Sequence, residues 1–308
     1  MPGNVFTKLN WNTGDVAQLR LRRRAYAVVV GVLLVASYLP VFSLYARQHW
    51  TTLDLQGAYA HAPLALVVIA LLFWSQRQSL MEPLRTQLNP AGLMLLTFGV
   101  ILKIYGDVQG YVVLQGMSII PVMLGLLWSY HFASTLRALR FPVLFLFFVI
   151  PLPGGAIDAL TRPLLELTSE WVSGVLPLFN IDVEKTGHVL TVNAQGLTNY
   201  HEVILAPECS GIRSFISLLA LSCLFAHLQG RSLGQSTVLI LVTIPLVVVG
   251  NCIRVVLTVL MIVNVSPEAA QNYLHWFSGL LLFMVTLLGL FAIDALLMKI
   301  SRKNGAVQ

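Results

Sequence analysis

Apolar runs long enough to cross a bilayer recur along this chain, separated by short loops that carry basic residues. No other feature restricts its fold as severely. Backbone amides inside a hydrocarbon core about 30 Å thick find no water, so a chain crosses it only as helices or as a closed barrel. Strands of a barrel alternate apolar and polar residues, whereas the runs here are continuously apolar. The spacing predicts an all-α polytopic membrane protein with about eight transmembrane helices, at residues 25–42, 62–76, 90–105, 111–128, 139–152, 209–228, 236–263 and 275–298. A content of 57% hydrophobic and 10% charged residues agrees with that class and lies far from soluble domains.

The basic residues set the expected orientation. With the amino terminus inside, Lys8, Arg20, Arg22, Arg23, Arg24, Arg77, Arg85, Arg137, Arg140, Arg231, Lys299, Arg302 and Lys303 all fall on the cytoplasmic side. That bias repeats loop by loop, as the positive-inside rule requires, and places both termini in the cytoplasm. Because the formal charge of +6 is spread over short loops, it reads as topology and not as a nucleic-acid surface. The expected organisation is a basic amino terminus (1–24), one membrane catalytic domain (25–298) and a cytoplasmic tail (299–308). The first span is read as an uncleaved signal anchor.

The large polar insertion, 153–208, falls on the extracytoplasmic side. Leu160, Leu164, Leu167, Trp171, Val175 and Leu178 recur three or four apart, opposite Asp158, Arg162, Glu166, Ser169 and Ser173. This predicts an amphipathic helix lying on the outer leaflet or capping the bundle, with Pro163 near its start or breaking it. Val189–Val192 and Glu202–Leu205, flanking a turn-forming 193–196, predict a small β-hairpin that leads into Cys209.

Cys209 sits where this polar segment turns into an apolar helix. The N–H groups and dipole of a helix N-terminus favour a thiolate, whereas adjacent Glu208 opposes it. A cation is therefore needed, and the predicted topology brings Arg254 to the same membrane face. A guanidinium within so apolar a run is by default functional or paired. Asn251, one turn earlier, is placed to orient it. His275 opens the last span at the same depth and is a suitable proton carrier for a thiol. Arg213, four residues after Cys209, either binds an acidic group or pairs with Glu208. Asp294 is expected to pair with Lys299 or another tail base. Cys223 and Cys252 read as small buried hydrophobes. Nothing in the spacing implies a metal or another cofactor, and no serine-hydrolase, zincin or nucleotide motif is present.

Pro207-Glu208-Cys209-Ser210-Gly211-Ile212-Arg213-Ser214, Asn251-Cys252-Ile253-Arg254 and His275 before the final span together resemble the exosortase/archaeosortase family. Tyr59-Ala60-His61-Ala62-Pro63-Leu64 is a looser shared feature. The resemblance implies an inner-membrane cysteine protease or transpeptidase, with Cys209 as nucleophile and Arg254 and His275 as its partners. Glu208, Ser210, Arg213 and Asn251 would support them. Its partners would be membrane proteins bearing a PEP-CTERM-type signal, which is a Pro-Glu-Pro-like motif, a hydrophobic helix and a basic tail. A lipid or glycan would be the acceptor. Some members carry an extra domain linked to exopolysaccharide production. Two other readings remain open, a simple thiol protease and a non-catalytic component of exopolysaccharide or lipid-carrier export whose arginines bind phosphate.

Overall fold

In the computed structural model the described residues are 25, 29–34, 36–47, 59, 61–82, 87–131, 133–187, 189–194, 201–204, 210–264 and 275–305, with side chains of 189, 193–194, 201–204, 275–282 and 300–305 outside the description. The chain divides into two compact units, Met1–Arg47 with Leu66–Ile150, and Gln48–Ala65 with Pro151–Gln308. The boundary falls within a helix, α2 below.

The first unit contains α1 (Leu39–Tyr45), most of α2 (Ala62–Ser75), α3 (Arg77–Leu80), α4 (Pro90–Gln109), α5 (Val112–Met117), α6 (Ile119–Tyr130) and α7 (Ala133–Phe145). Local chemistry bounds α4 at both ends. The Asn89 side chain accepts the Ala91 N–H at 2.9 Å, Pro90 occupies the first turn, and Gly110 closes the helix in the left-handed region at φ 70°. The buried residues of α4 are Gly92, Gly99 and Gly106, seven apart and so on one side. A Cβ at Gly99 would stand 2.7 Å from the Val122 backbone nitrogen, and one at Gly92 2.5 Å from that of Ser129. From the α6 side, a Cβ at Gly125 would strike the Leu96 backbone. The two helices therefore meet backbone to backbone, the close approach that small residues permit where apolar helices have no water to escape. Between α5 and α6 the helix is interrupted at Ser118, which is fully buried and shares a 2.8 Å hydrogen bond with the Tyr38 hydroxyl.

The second unit contains α8 (Gly154–Val175), a three-stranded antiparallel sheet, α9 (Ile212–Leu228), α10 (Leu233–Asn264) and α11 (His275–Gly305). The sheet order is β1 (Ile181–Thr186), β2 (Val189–Ala194) and β3 (His201–Ile204). The expected hairpin is present as β2 and β3, with Leu190 opposite Val203. The expectation omitted β1, which pairs Val183 with Val192 and turns into β2 through Gly187 at φ 63°. Its alternation of Ile181 and Val183 with Asp182 and Glu184 is a strand pattern, with the apolar pair turned inward. Leu165, Val172 and Leu176 join Ile181, Leu190, Val192, Val255, Val256 and Val259 in one core, so α8 and the sheet are seated on the last third of α10.

Three helical segments among the described residues, Pro90–Gln109, Val112–Tyr130 and Leu233–Asn264, are long and apolar enough to span a membrane, against the expected eight. α2 and α9, at 14 and 17 residues, are apolar but shorter than the roughly 20 a span needs. The expected span 139–152 is not one α-helix: α7 contains Pro142 and passes at Phe145 into a 3₁₀ turn, Leu146–Phe148. α11 continues to Gly305, beyond the expected boundary at 298.

Two expectations for the insertion and the last helix are corrected. Pro163 neither starts nor breaks α8; it lies inside a continuous 22-residue helix, at the cost of one backbone hydrogen bond. α8 also buries a face that the sequence reading did not single out. Thr161, Leu165, Thr168, Ser169 and Val172 are buried, whereas Leu160, Leu167 and Trp171 are exposed. Asp294 pairs with Arg231 at 2.7 Å, not with Lys299 or the tail, and both side chains are nearly buried. The turn between α9 and α10 thus delivers its basic residue to the side of α11.

Candidate functional site

The sequence-predicted residues fall on three elements of the second unit. Ser210 and Gly211 form the approach to α9. Ser210 is 1% exposed, and its hydroxyl accepts the Ile212 N–H at 3.2 Å, occupying one donor of the helix start. Gly211 holds φ 77°, and its carbonyl accepts the Phe215 N–H at 2.9 Å. The left-handed turn reverses the chain within one residue, which glycine does without steric cost. Arg213 follows in the first turn, half-buried. Glu208 and Cys209 lie outside the described residues.

α10 supplies Asn251, Cys252 and Arg254. At 32 residues it is about 48 Å long, more than a hydrocarbon core requires. Asn251 is 0% exposed and lies directly against the start of α9: a Cβ on Gly211 would be 2.9 Å from Asn251 Cγ and 3.1 Å from its Oδ1. This contact sets the register of the two helices. The level of Gly211 is the level of Asn251, and α10 continues for about 20 Å beyond it, carrying the core that holds α8 and the sheet. Arg254 is three residues further on and half-buried. The structure therefore brings Ser210, Gly211 and Asn251 together and puts Arg254 one turn away. His275 is the first residue of α11, as expected, and its side chain is outside the description.

One residue of this constellation escaped the sequence reading. Thr168, 1% exposed on α8, accepts the Asn251 amide N–H at 3.1 Å and donates its own hydroxyl to the Leu164 carbonyl at 2.7 Å. The available signal was the spacing of Thr161, Leu165, Thr168 and Val172, a helical stripe as regular as the leucine stripe beside it. Cys252 is buried, as expected of a small hydrophobe.

The Tyr59–Leu64 segment also takes part in organising this unit. The Tyr59 phenol accepts the Leu152 N–H at 2.9 Å and its ring stacks on His61, 5.9 Å between centroids. Burial pushes the Tyr59 hydroxyl above the usual phenol pKa, so it stays a neutral hydrogen-bonding group. The chain is thereby held at Leu152, between two prolines, just before α8 begins. Among the described residues no group of three or more His, Cys, Asp or Glu could hold a metal ion.

Long apolar helices, backbone-close helix packing and a polar cluster at the end of one helix pair define a helical membrane protein. The chain belongs to the transmembrane exosortase family: the family model described as Transmembrane exosortase (Exosortase_EpsH) matches residues 49–292, most of its length. No curated protein and no solved structure matches it.

Proposed function

We propose that this protein is a membrane cysteine transpeptidase that cleaves a carboxy-terminal sorting signal and transfers the protein to an acceptor at the extracytoplasmic face. The family match supports the class. The observation that carries the reading is the seating of Gly211 on Asn251, which brings the Ser210–Gly211 turn to the helix that carries Arg254 one turn further on.

In this reading the Cys209 thiolate attacks the carbonyl next to the signal's Pro-Glu-Pro-like motif. Arg254 stabilises the oxyanion, and His275 protonates the departing amine as the peptide bond breaks. A thioester to Cys209 remains. An amine or hydroxyl of a lipid or glycan then attacks it, gives up its proton, and restores the thiol. Arg213, in the first turn of α9, receives the glutamate of the motif, and the apolar bundle holds the signal helix. The active site faces outward and both termini lie in the cytoplasm of the inner membrane, following the basic loops.

The test is a reporter ending in such a signal, processed in membranes containing the full chain. Cys209→Ala abolishes processing, and an intact-mass measurement finds the cleaved reporter plus an adduct. Cleaved reporter without adduct reduces the activity to hydrolysis. Processing by both Cys209→Ala and Cys209→Ser refutes the thiol mechanism and leaves a non-catalytic export component.

A further inference from the structure

The geometry points to Thr168, on the inserted helix α8, as a positioning residue of this site, acting through Asn251. This rests on the thiol reading above and deepens it. A threonine hydroxyl has one proton, and here it goes to the Leu164 carbonyl at 2.7 Å. Toward α10 the oxygen is left only as an acceptor, so it fits the NH₂ end of the Asn251 amide and not the carbonyl end. The 3.1 Å bond from Nδ2 satisfies that requirement. Fixing the NH₂ end on α8 fixes the other end too: Oδ1 lies toward the left-handed turn, 3.1 Å from where a Gly211 Cβ would stand.

The amide is consequently a rigid wedge between two elements. It is fully buried, held on one side by Thr168 and packed on the other against Gly211, two residues after Cys209. Without the threonine acceptor the amide loses its tie to α8, and the left-handed turn packed against it loses a fixed support. The inserted helix is then part of the site's construction and not only a cap over the bundle.

The test compares Thr168→Val, which keeps the shape and removes the acceptor, with Thr168→Ser, which keeps the acceptor. Both are made in the full chain in membranes, and two readouts are taken. With the signal-bearing reporter, Thr168→Val lowers kcat about tenfold with KM unchanged, while Thr168→Ser stays within twofold of wild type. With iodoacetamide and no substrate, the Cys209 alkylation rate, read by peptide mass spectrometry, changes at least threefold in Thr168→Val and not in Thr168→Ser. Buried Cys252 is the folding control and remains protected in both.

Wild-type turnover and alkylation in Thr168→Val overturn the inference. So do parallel losses in the two variants accompanied by Cys252 labelling, which would make Thr168 merely structural. If Cys209→Ala still processes the reporter, the thiol reading itself falls, while the alkylation comparison continues to decide whether Thr168 positions the segment.

Discussion

Replacing Gly211 with alanine tests the register between α9 and α10 directly. Two costs add. An L-residue in the left-handed region at φ 77° costs about 1–2 kcal/mol. The new methyl would also stand 2.9 Å from Asn251 Cγ, against an amide that Thr168 keeps from swinging aside, and such overpacking costs about 1–3 kcal/mol. The expected destabilisation is therefore about 2–5 kcal/mol. The two parts separate in a double-mutant cycle, because Asn251→Ala removes the amide contacts at 2.9 and 3.1 Å and leaves the backbone cost with the 3.2 Å approach to the retained Cβ. Equilibrium unfolding in mixed detergent micelles should show Gly211→Ala/Asn251→Ala to be less destabilised than the sum of the single variants, by about 1–3 kcal/mol. Strict additivity, within about 0.5 kcal/mol, would refute the contact and with it the placement of Gly211 beside Asn251.

Three further outcomes are expected from other parts of the molecule. Asp294→Ala leaves the Arg231 guanidinium buried without its carboxylate and should cost about 3–5 kcal/mol in the same unfolding assay, whereas Arg231→Met with Asp294→Leu recovers most of that loss; a single-variant effect below about 1 kcal/mol argues against the pair. Gly99→Leu drives a side chain into the Val122 backbone and should leave little folded protein on size-exclusion chromatography, while Gly110→Asn, at a left-handed cap with open space around it, elutes as wild type. The His131 imidazole is held below the usual histidine pKa by burial, partly offset by Glu82, and its Nδ1 makes no hydrogen bond. The folded state therefore keeps it neutral while the unfolded chain takes up a proton below about pH 6.5. Its contribution is full above that pH and is lost as the pH falls through it, so wild type should lose stability on acidification more steeply than His131→Gln does.

Membrane class, the family, and the helical character of α4 and α10 were legible in the residues because each rests on local information. Continuous apolarity dictates helices wherever water is absent, Asn89-Pro90 and Gly110 mark the ends of α4 by their own backbone preferences, and the Cys209–Ser214 and Asn251–Arg254 segments are strings of specific residues. Two features were not legible, for physical reasons. The leucine stripe of α8 gave no view of the side that meets protein, because beside a membrane leucine loses nothing by facing outward, and hydroxyl-bearing and small residues fill the protein-facing side. Asp294 was assigned to the nearest base in sequence, Lys299, although a turn between two long helices brings Arg231 to it from 63 residues away.

What the sequence by itself determined was therefore the kind of protein: a helical membrane chain of the exosortase family. Only the tertiary structure decided which neighbours Gly211, Asn251 and Thr168 meet. The pairing of Gly211 with Asn251, the acceptor role of Thr168 and the seating of the inserted helix and sheet on the end of α10 depend on distances between segments 40 to 83 residues apart. Helical periodicity reports which residues share a face. It carries no information about what that face is packed against, and that is set by the register between helices.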